Sequence, residues 1–192
     1  MNSIKEVIED LKQGQFVILL DDENRENEAD LIIAAEHVDD EKLNFMVRKT
    51  SGFICLPMAG EYLDRLNIPM MTNDNHNRFS TPFTMSIEAA TGITTGVSIV
   101  DRIHTIKTVI ADDAQASDIV MPGHIMPLRA QDNGVLVRAG HTEGSVDLMR
   151  LAGCKPAAII CELMDDDGKM LRGEKLFQFA GEHRSEEHTS EL

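Results

Sequence analysis

The feature that most constrains this chain is a run of charged residues between two apolar segments. Residues 21–30, DDENRENEAD, contain seven ionisable side chains. The apolar runs on either side, residues 16–20 and 31–35, are typical of short buried strands joined by a loop. A solvated hairpin loop would explain the charges without any function. We favour a ligand site, because Arg25 offers a planar anion-binding fork beside carboxylates that can hold a hard cation.

Size and charge exclude several protein classes. The chain has 192 residues, enough to bury roughly 70% of its unfolded surface. Its formal net charge of −15 opposes binding to nucleic acids and to anionic membranes. Three cysteines without CxxC spacing favour a reducing cytoplasm over a disulfide framework or a structural zinc site. Because the N-terminal segment also lacks the apolar core of a signal peptide or membrane span, we expect a soluble cytoplasmic protein.

Helix and strand signals interleave along the chain. Ser3 and Glu6 form a capping-box pattern that predicts a first helix, closed by Gly14. The sequence predicts further helices at 40–50, 61–66, 98–110, 142–151 and after 173, and strands at 53–56, 81–88, 124–129, 135–138 and 157–163. Asn133-Gly134 predicts a hairpin between the strands at 124–129 and 135–138. Hairpins mixed with crossovers indicate a mixed sheet covered by helices. We expect one domain over residues 1–183, and a frayed or non-native tail over residues 184–192.

The segment RAGHT, residues 138–142, is a second candidate site, between a predicted strand and a predicted helix. Gly140 allows close backbone approach and Thr142 can cap the helix, so the first-turn amides outline an anion site. Arg138 adds a fork suited to phosphate, and His141 can ligate a metal as a neutral imidazole. The alternative is an ordinary capped helix with an incidental histidine.

Two single residues are weaker candidates. His124 follows Pro122-Gly123 at the start of a predicted strand, where an imidazole can move protons, although such a histidine is more often structural. Glu162 ends the apolar run AAIIC, so it is either a base at the sheet edge or a solvated strand end.

The sequence lacks the motifs of several large enzyme classes. It contains no GxGxxG after a strand, no GxxxxGK[ST], no HExxH and no GxSxG. What is left is a set of oxygen and imidazole ligands with arginines, which suits Mg²⁺ or Mn²⁺ and a small phosphorylated substrate.

Six long segments carry a resemblance to a known family. They are DDENRENEADLIIAAE, SGFICLPM, TTGVSIVDR, PGHIMPLRAQ, RAGHTEGSVDLMRLAG and PAAIICEL. Together, over about residues 4–183, they resemble the 3,4-dihydroxy-2-butanone 4-phosphate synthases of riboflavin biosynthesis. The resemblance implies a homodimeric lyase that converts D-ribulose 5-phosphate into L-3,4-dihydroxy-2-butanone 4-phosphate and formate, with Mg²⁺ or Mn²⁺. It also implies an α+β fold, a three-layer α/β/α sandwich with a mixed, largely antiparallel sheet.

The resemblance also implies roles for individual residues. Glu26 and His141 match the metal ligands, and His124 and Glu162 match residues essential for catalysis. Asp30 matches a residue that binds a sugar hydroxyl, and the phosphate falls largely to residues 138–142. The full set that matches substrate contacts is Arg25, Glu26, Asp30, Arg138, Ala139, Gly140, His141, Thr142 and Glu162.

Other functions stay open on the sequence alone. A metal-dependent isomerase or aldolase acting on another ketose phosphate would use the same enediolate chemistry, and a catalytically silent phosphosugar-binding module would need only the binding residues. The chain departs from the family pattern at Ala29, where many members have Gly. It also continues after residue 183 with the polar RSEEHTSEL where the family has an apolar segment, which predicts a weaker domain and dimer.

Overall fold

One six-stranded sheet organises residues 2–183, the part of the chain that the computed structural model describes. Its strands are β1 Val17–Leu20, β2 Ala29–Ala34, β3 Cys55–Ala59, β4 Ile87–Ala89, β5 Ile119–Ala130 and β6 Ala158–Glu162. They lie in the order β1-β2-β6-β3-β5-β4. Only β3 and β5 are parallel, and the other neighbouring pairs are antiparallel. The mixed, largely antiparallel sheet is therefore confirmed. The predicted tail, residues 184–192, lies outside the described residues.

Helices cover both faces of the sheet. They are α1 Ile4–Lys12, α2 Asp40–Lys49, α3 Gly60–Arg65, α4 Ile99–Val109, α5 His141–Ala152 and α6 Glu174–Glu182. Side chains alternate between the two faces along β2, because successive residues of a strand point in opposite directions. Leu31 and Ile33 pack in the core under α2, α3, α4 and α6. Ile32 and Ala34 pack in the core under α1 and α5. The fold is thus the expected three-layer α+β arrangement.

Local sequence signals set most helix ends. The side chain of Ser3 caps α1, and Glu6 completes the predicted capping box. In α2 the cap is Asp39, whose carboxylate accepts the Lys42 N–H at 2.9 Å, rather than the predicted Asp40. Gly153 ends α5 in the left-handed conformation, with φ of +73°, as expected of a glycine after a helix.

The predicted hairpin around Asn133-Gly134 is wrong. Residues 135–138 do not form a strand, and Gly134–Leu136 is instead a short 3-10 helix. Its Gly134 has φ of +56°, and the Val135 N–H donates to Oδ2 of Asp147, in α5, at 2.9 Å. Because a carboxylate from the following helix holds this turn, the chain runs directly into α5. The predicted strand at 81–88 is also too long, since β4 covers only Ile87–Ala89.

The register of β2 against β6 positions the polar residues at one end of the sheet. Asp30 lies directly opposite Glu162 in this antiparallel pair. Asp30 follows the acidic loop, and Glu162 is the last residue of β6. The acidic loop and the carboxylates of Asp30 and Glu162 therefore meet at the same end of the sheet. No helix within residues 2–183 has the length and apolar composition that crossing a membrane requires.

Candidate active site

The acidic loop between β1 and β2 is folded around the carboxylate of Asp21. This carboxylate accepts the backbone N–H groups of Glu26 and Glu28 at 3.0 and 2.9 Å, and Nη1 of Arg25 at 2.8 Å. Burial by itself would raise the pKa of Asp21, but these donors outweigh it and lower the pKa. The side chain of Asp21, which is 4% exposed, is thus an ionised anchor of the loop, while residues 22–24 and Asn27 are exposed.

Asp21, Glu26 and His141 form a group that can hold a metal ion. One ligand atom of each lies within 4.8 Å of the other two, and Nδ1 of His141 is 3.7 Å from Oε2 of Glu26. Among the described residues, the buried Nε2 of His141 has no hydrogen-bond partner. A buried imidazole with one unpartnered nitrogen, next to the carboxylates of Asp21 and Glu26, fits a divalent cation. Sequence reasoning paired Glu26 with His141 but did not single out Asp21, although Asp21 begins the same acidic run.

Asp30 and Glu162 form the floor of the site. Burial raises the pKa of Asp30 to about 7; the charge of His141 opposes that rise, and those of Glu162 and Glu28 add to it. Oε2 of Glu162 accepts the N–H of Phe53 at 2.7 Å, which fixes the carboxylate at the end of β6. Asp30 can therefore exchange a proton near neutral pH, next to a carboxylate held in one orientation.

Two arginines flank the start of α5 but are bound differently. Nε and Nη2 of Arg138 donate to the carbonyl of Phe79 at 3.2 and 3.1 Å, and its Nη1 donates to Glu143 at 2.6 Å. Arg25 lies over the ring of Phe79, 5.4 Å from its centroid, and its buried Nη2 has no partner among residues 2–183. Arg138 thus secures the loop before β4, whereas Arg25 keeps a donor for a ligand.

Gly140 supports the anion site predicted for RAGHT. It is the N-cap of α5 and supplies no side-chain cap, so the first-turn amides are available to a ligand. A Cβ at this position would lie 2.8 Å from Nη2 of Arg25, which explains why both arginines can approach the backbone here. The predicted capping role of Thr142 is wrong, because α5 begins at His141 and Thr142 is buried in its first turn.

These groups surround one small polar cavity of about 140 Å³. Its lining includes seven of the predicted site residues: Arg25, Glu26, Asp30, Arg138, His141, Thr142 and Glu162. Sequence reasoning missed the other residues that line it: Glu28, Cys55, Asn77, Thr81, Phe83, Leu128 and Ile160. Asn77 and Thr81 lie in or beside the predicted loop at 70–80, whose loss of periodicity carried no functional signal.

His124 lies outside the lining of this cavity. Its Nδ1 contacts the Glu88 carboxylate of β4, and its side chain is 45% exposed. His124 stands two residues before Met126, which pairs with Cys55 of the cavity wall. It is therefore at the same end of the sheet as Glu162 but two strands away, about 10 Å at the usual strand spacing. The sequence did not indicate Glu88, because its contact with His124 depends on the β4–β5 pairing.

Comparisons with known proteins agree on one family. A family sequence model described as 3,4-dihydroxy-2-butanone 4-phosphate synthase matches residues 5–190. A Pseudomonas aeruginosa protein of that name is 54% identical over 183 residues, which are 95% of this chain and 50% of that protein. One from Desulfotalea psychrophila is 50% identical, over 92% of this chain and 83% of that protein. The chain spans about half the length of several such relatives.

Solved structures give the same result at the level of the fold. A two-domain 3,4-dihydroxy-2-butanone 4-phosphate synthase from A. baumannii superposes with a TM-score of 0.91 at 47% identity, over 95% of this chain and 54% of that chain. A synthase of the same name in complex with two magnesium ions gives a TM-score of 0.89 at 43% identity, over 95% of this chain and 90% of that chain.

Proposed function

We propose that this chain, which belongs to the 3,4-dihydroxy-2-butanone 4-phosphate synthase family, converts D-ribulose 5-phosphate into L-3,4-dihydroxy-2-butanone 4-phosphate and formate in riboflavin biosynthesis. One observation carries the proposal. Glu26 of the acidic loop and His141 of α5, which are far apart in sequence, converge on one polar cavity beside Arg25. That set of groups suits a small substrate that carries both a phosphate and oxygens next to a metal.

Glu26 and His141 would hold Mg²⁺ or Mn²⁺, with Asp21 as a further carboxylate. The imidazole of His141 and the carboxylates of Asp21 and Glu26 are ligands that these ions accept. The relative whose structure contains two magnesium ions supports the same choice. When bound there, a divalent ion stabilises the negative charge that develops on the oxygens of the substrate.

The substrate phosphate would bind at the start of α5. The free Nη2 of Arg25 lies beside Gly140, the N-cap of α5, and a helix N-terminus favours an anion. Arg138 and Thr142 line the same cavity, and Arg138 supports the site through its bonds to Phe79 and Glu143. Asp30, at the cavity floor, would bind a sugar hydroxyl.

Glu162 is our candidate for the first proton transfer. Removing the proton from a carbon next to the ketone creates an enediolate, and a carboxylate within reach can act as the base. The N–H of Phe53 fixes Glu162, and Asp30, with its pKa near 7, is paired opposite it and can relay the proton. Glu162 would thus be the base, and the neighbouring Asp30 would accept the proton from it.

His124 would act from a second copy of the chain in a homodimer. Its own cavity is two strands away, and the exposed apolar side chains of Val97, Val100, Val120 and Met121 lie on the segments next to His124 and its partner Glu88. Burying such side chains against another copy is favourable. A cytoplasmic location is consistent with the three free cysteines, Cys55, Cys154 and Cys161.

The test is incubation of the protein with ribulose 5-phosphate and Mg²⁺, with and without EDTA. We expect formate and a four-carbon phosphate in equal amounts, and no turnover in EDTA. A five-carbon product would indicate an isomerase, and three- and two-carbon products would indicate an aldolase. Binding of the phosphosugar without any product would indicate the silent binding module.

A further inference from the structure

A second group of metal-ligating side chains lies at the opposite end of the β2–β6 pair. Glu36 and His37 belong to the short 3-10 helix Ala35–His37 that follows β2, and Cys154 lies between α5 and β6. One ligand atom of each is within 4.8 Å of the other two. Glu36 is four strand residues and two 3-10 residues beyond Asp30, so this group is about 17 Å from the candidate active site.

Backbone contacts hold Glu36 and His37 in place, and the Cys154 thiol lies beside the Glu36 carboxylate. Oε1 of Glu36 accepts the Lys155 N–H at 2.6 Å, which orients the carboxylate. The backbone carbonyl of Glu36 accepts a hydrogen bond from Nζ of Lys107 at 2.7 Å. The backbone carbonyl of His37 accepts one from Nζ of Lys42 at 3.1 Å. Such outer contacts fix the orientation of metal ligands in known sites.

We propose that Glu36, His37 and Cys154 form a second metal site, which takes Zn²⁺ or a similar borderline-soft divalent ion. Thiolate, imidazole and carboxylate are the three usual zinc ligands, and three protein ligands leave a fourth position for water. Mg²⁺ is disfavoured because the soft thiolate of Cys154 is a poor ligand for a hard ion. The thiolate and the carboxylate together neutralise a divalent charge, so a half-buried filled site carries no net charge.

The surroundings allow an ion to enter and to replace a proton. Burial and the nearby Glu36 carboxylate raise the pKa of Cys154, so the free thiol keeps its proton, and a divalent ion would displace it on binding. Lys12 is the opposing charge near Cys154. Its ammonium is exposed and 4.0 Å from Glu9, so it can turn away. Glu36 and His37 line an open groove of about 710 Å³, through which an ion can reach these two ligands.

Cobalt titration of the full chain tests the proposal, under a reductant that does not bind metals. Co²⁺ bound to a thiolate gives a near-ultraviolet charge-transfer band, which the oxygen and imidazole ligands of Asp21, Glu26 and His141 do not produce. We expect one such band, saturating at one Co²⁺ per chain and displaced by Zn²⁺. Cys154→Ser should abolish it, and His37→Gln should weaken the affinity at least about 10-fold.

Matched variants separate this site from the active site. Cys55→Ser and Glu26→Gln, both at the cavity, should keep the band, and His76→Gln, a substitution in an exposed loop, should leave the affinity unchanged. Because Glu26→Gln removes the hard-ion site, the result does not depend on the proposed reaction. No band at saturating Co²⁺, a band that survives Cys154→Ser, or a band lost only in Cys55→Ser would each overturn the proposal. If Cys154→Ser fails to fold, an unchanged affinity in His37→Gln overturns it.

Discussion

The two ends of the β2–β6 strand pair carry ligand groups of opposite character. At one end Asp21, Glu26 and His141 are largely buried, and arginines stand beside them. At the other end Glu36, His37 and Cys154 are half-buried, beside lysines that hold their backbone. The first group offers mainly oxygen and suits a hard ion with an anionic substrate, and the second offers sulfur and suits a softer ion.

Ligand type and surroundings thus distinguish the two proposed metal sites, which lie on one framework. At the active-site end the side chains of Asp21, Glu26 and His141 are 4%, 18% and 7% exposed, and burial raises the pKa of Asp30. At the far end the ligands are held through backbone contacts and face an open groove. Reactive chemistry needs the first arrangement, because electrostatic interactions are stronger where water is excluded.

The largest expected effect comes from removing the hard-ion ligands. Glu26→Gln and His141→Asn should each lower kcat/KM for ribulose 5-phosphate by at least about 1,000-fold, because each removes a ligand of the ion that stabilises the developing charge. Steady-state assays of formate release measure this, with Glu61→Gln, an exposed carboxylate of α3, as the control. If both variants kept activity within 10-fold of the wild type, Glu26 and His141 would not be ligands of a catalytic metal ion.

The next effect distinguishes the base from the other carboxylates. Glu162→Gln should slow the exchange of the carbon-bound proton of the substrate with solvent by about 100-fold or more, because the amide cannot accept that proton. Nuclear magnetic resonance in deuterated water follows the exchange. Undiminished exchange would assign the first step to another group, such as Asp30, and leave Glu162 as a binding residue.

The sequence predicted the active-site end far better than the other. Seven ionisable residues in a run of ten are a dense local signal, and resemblance joined that run to His141. The group of Glu36, His37 and Cys154 had no signal in the sequence, because Cys154 comes close to Glu36 only through the pairing of β2 with β6. The same limit explains the wrong hairpin at Gly134, which is held by Asp147 of α5. It also explains why the sequence did not indicate the contact of His124 with Glu88, which depends on the pairing of β4 with β5.

A stability measurement tests the electrostatics of the active-site end. The pKa of Asp30 is raised to about 7 by burial, so its proton is bound more tightly in the folded state than in the unfolded state. The free energy of unfolding should therefore fall as the pH rises from about 4 to 7. In EDTA, Asp30→Asn should be more stable than the wild type by on the order of 2 kcal/mol at pH 8, and equal to it at pH 4.

Urea unfolding at both pH values measures this difference. Asp132→Asn, an exposed substitution, should change stability by less than about 0.5 kcal/mol at either pH. If Asp30→Asn were less stable than the wild type at pH 8, the folded protein would stabilise Asp30 as a carboxylate. Asp30 could then not hold a proton beside Glu162 near neutral pH. The variant should also lose turnover, since stability and activity conflict at a buried charge.

The smallest effect concerns the framework of the far end. Oε1 of Glu36 accepts the Lys155 N–H at 2.6 Å, so Glu36→Ala leaves that donor without its acceptor and should cost about 1–2 kcal/mol in unfolding free energy in EDTA. Glu36→Gln keeps an acceptor oxygen and should lose less. If the alanine variant were as stable as the wild type, the bond to Lys155 would not hold the Glu36 carboxylate in one orientation. The two ends of the β2–β6 pair would then differ only in the type of their ligand atoms.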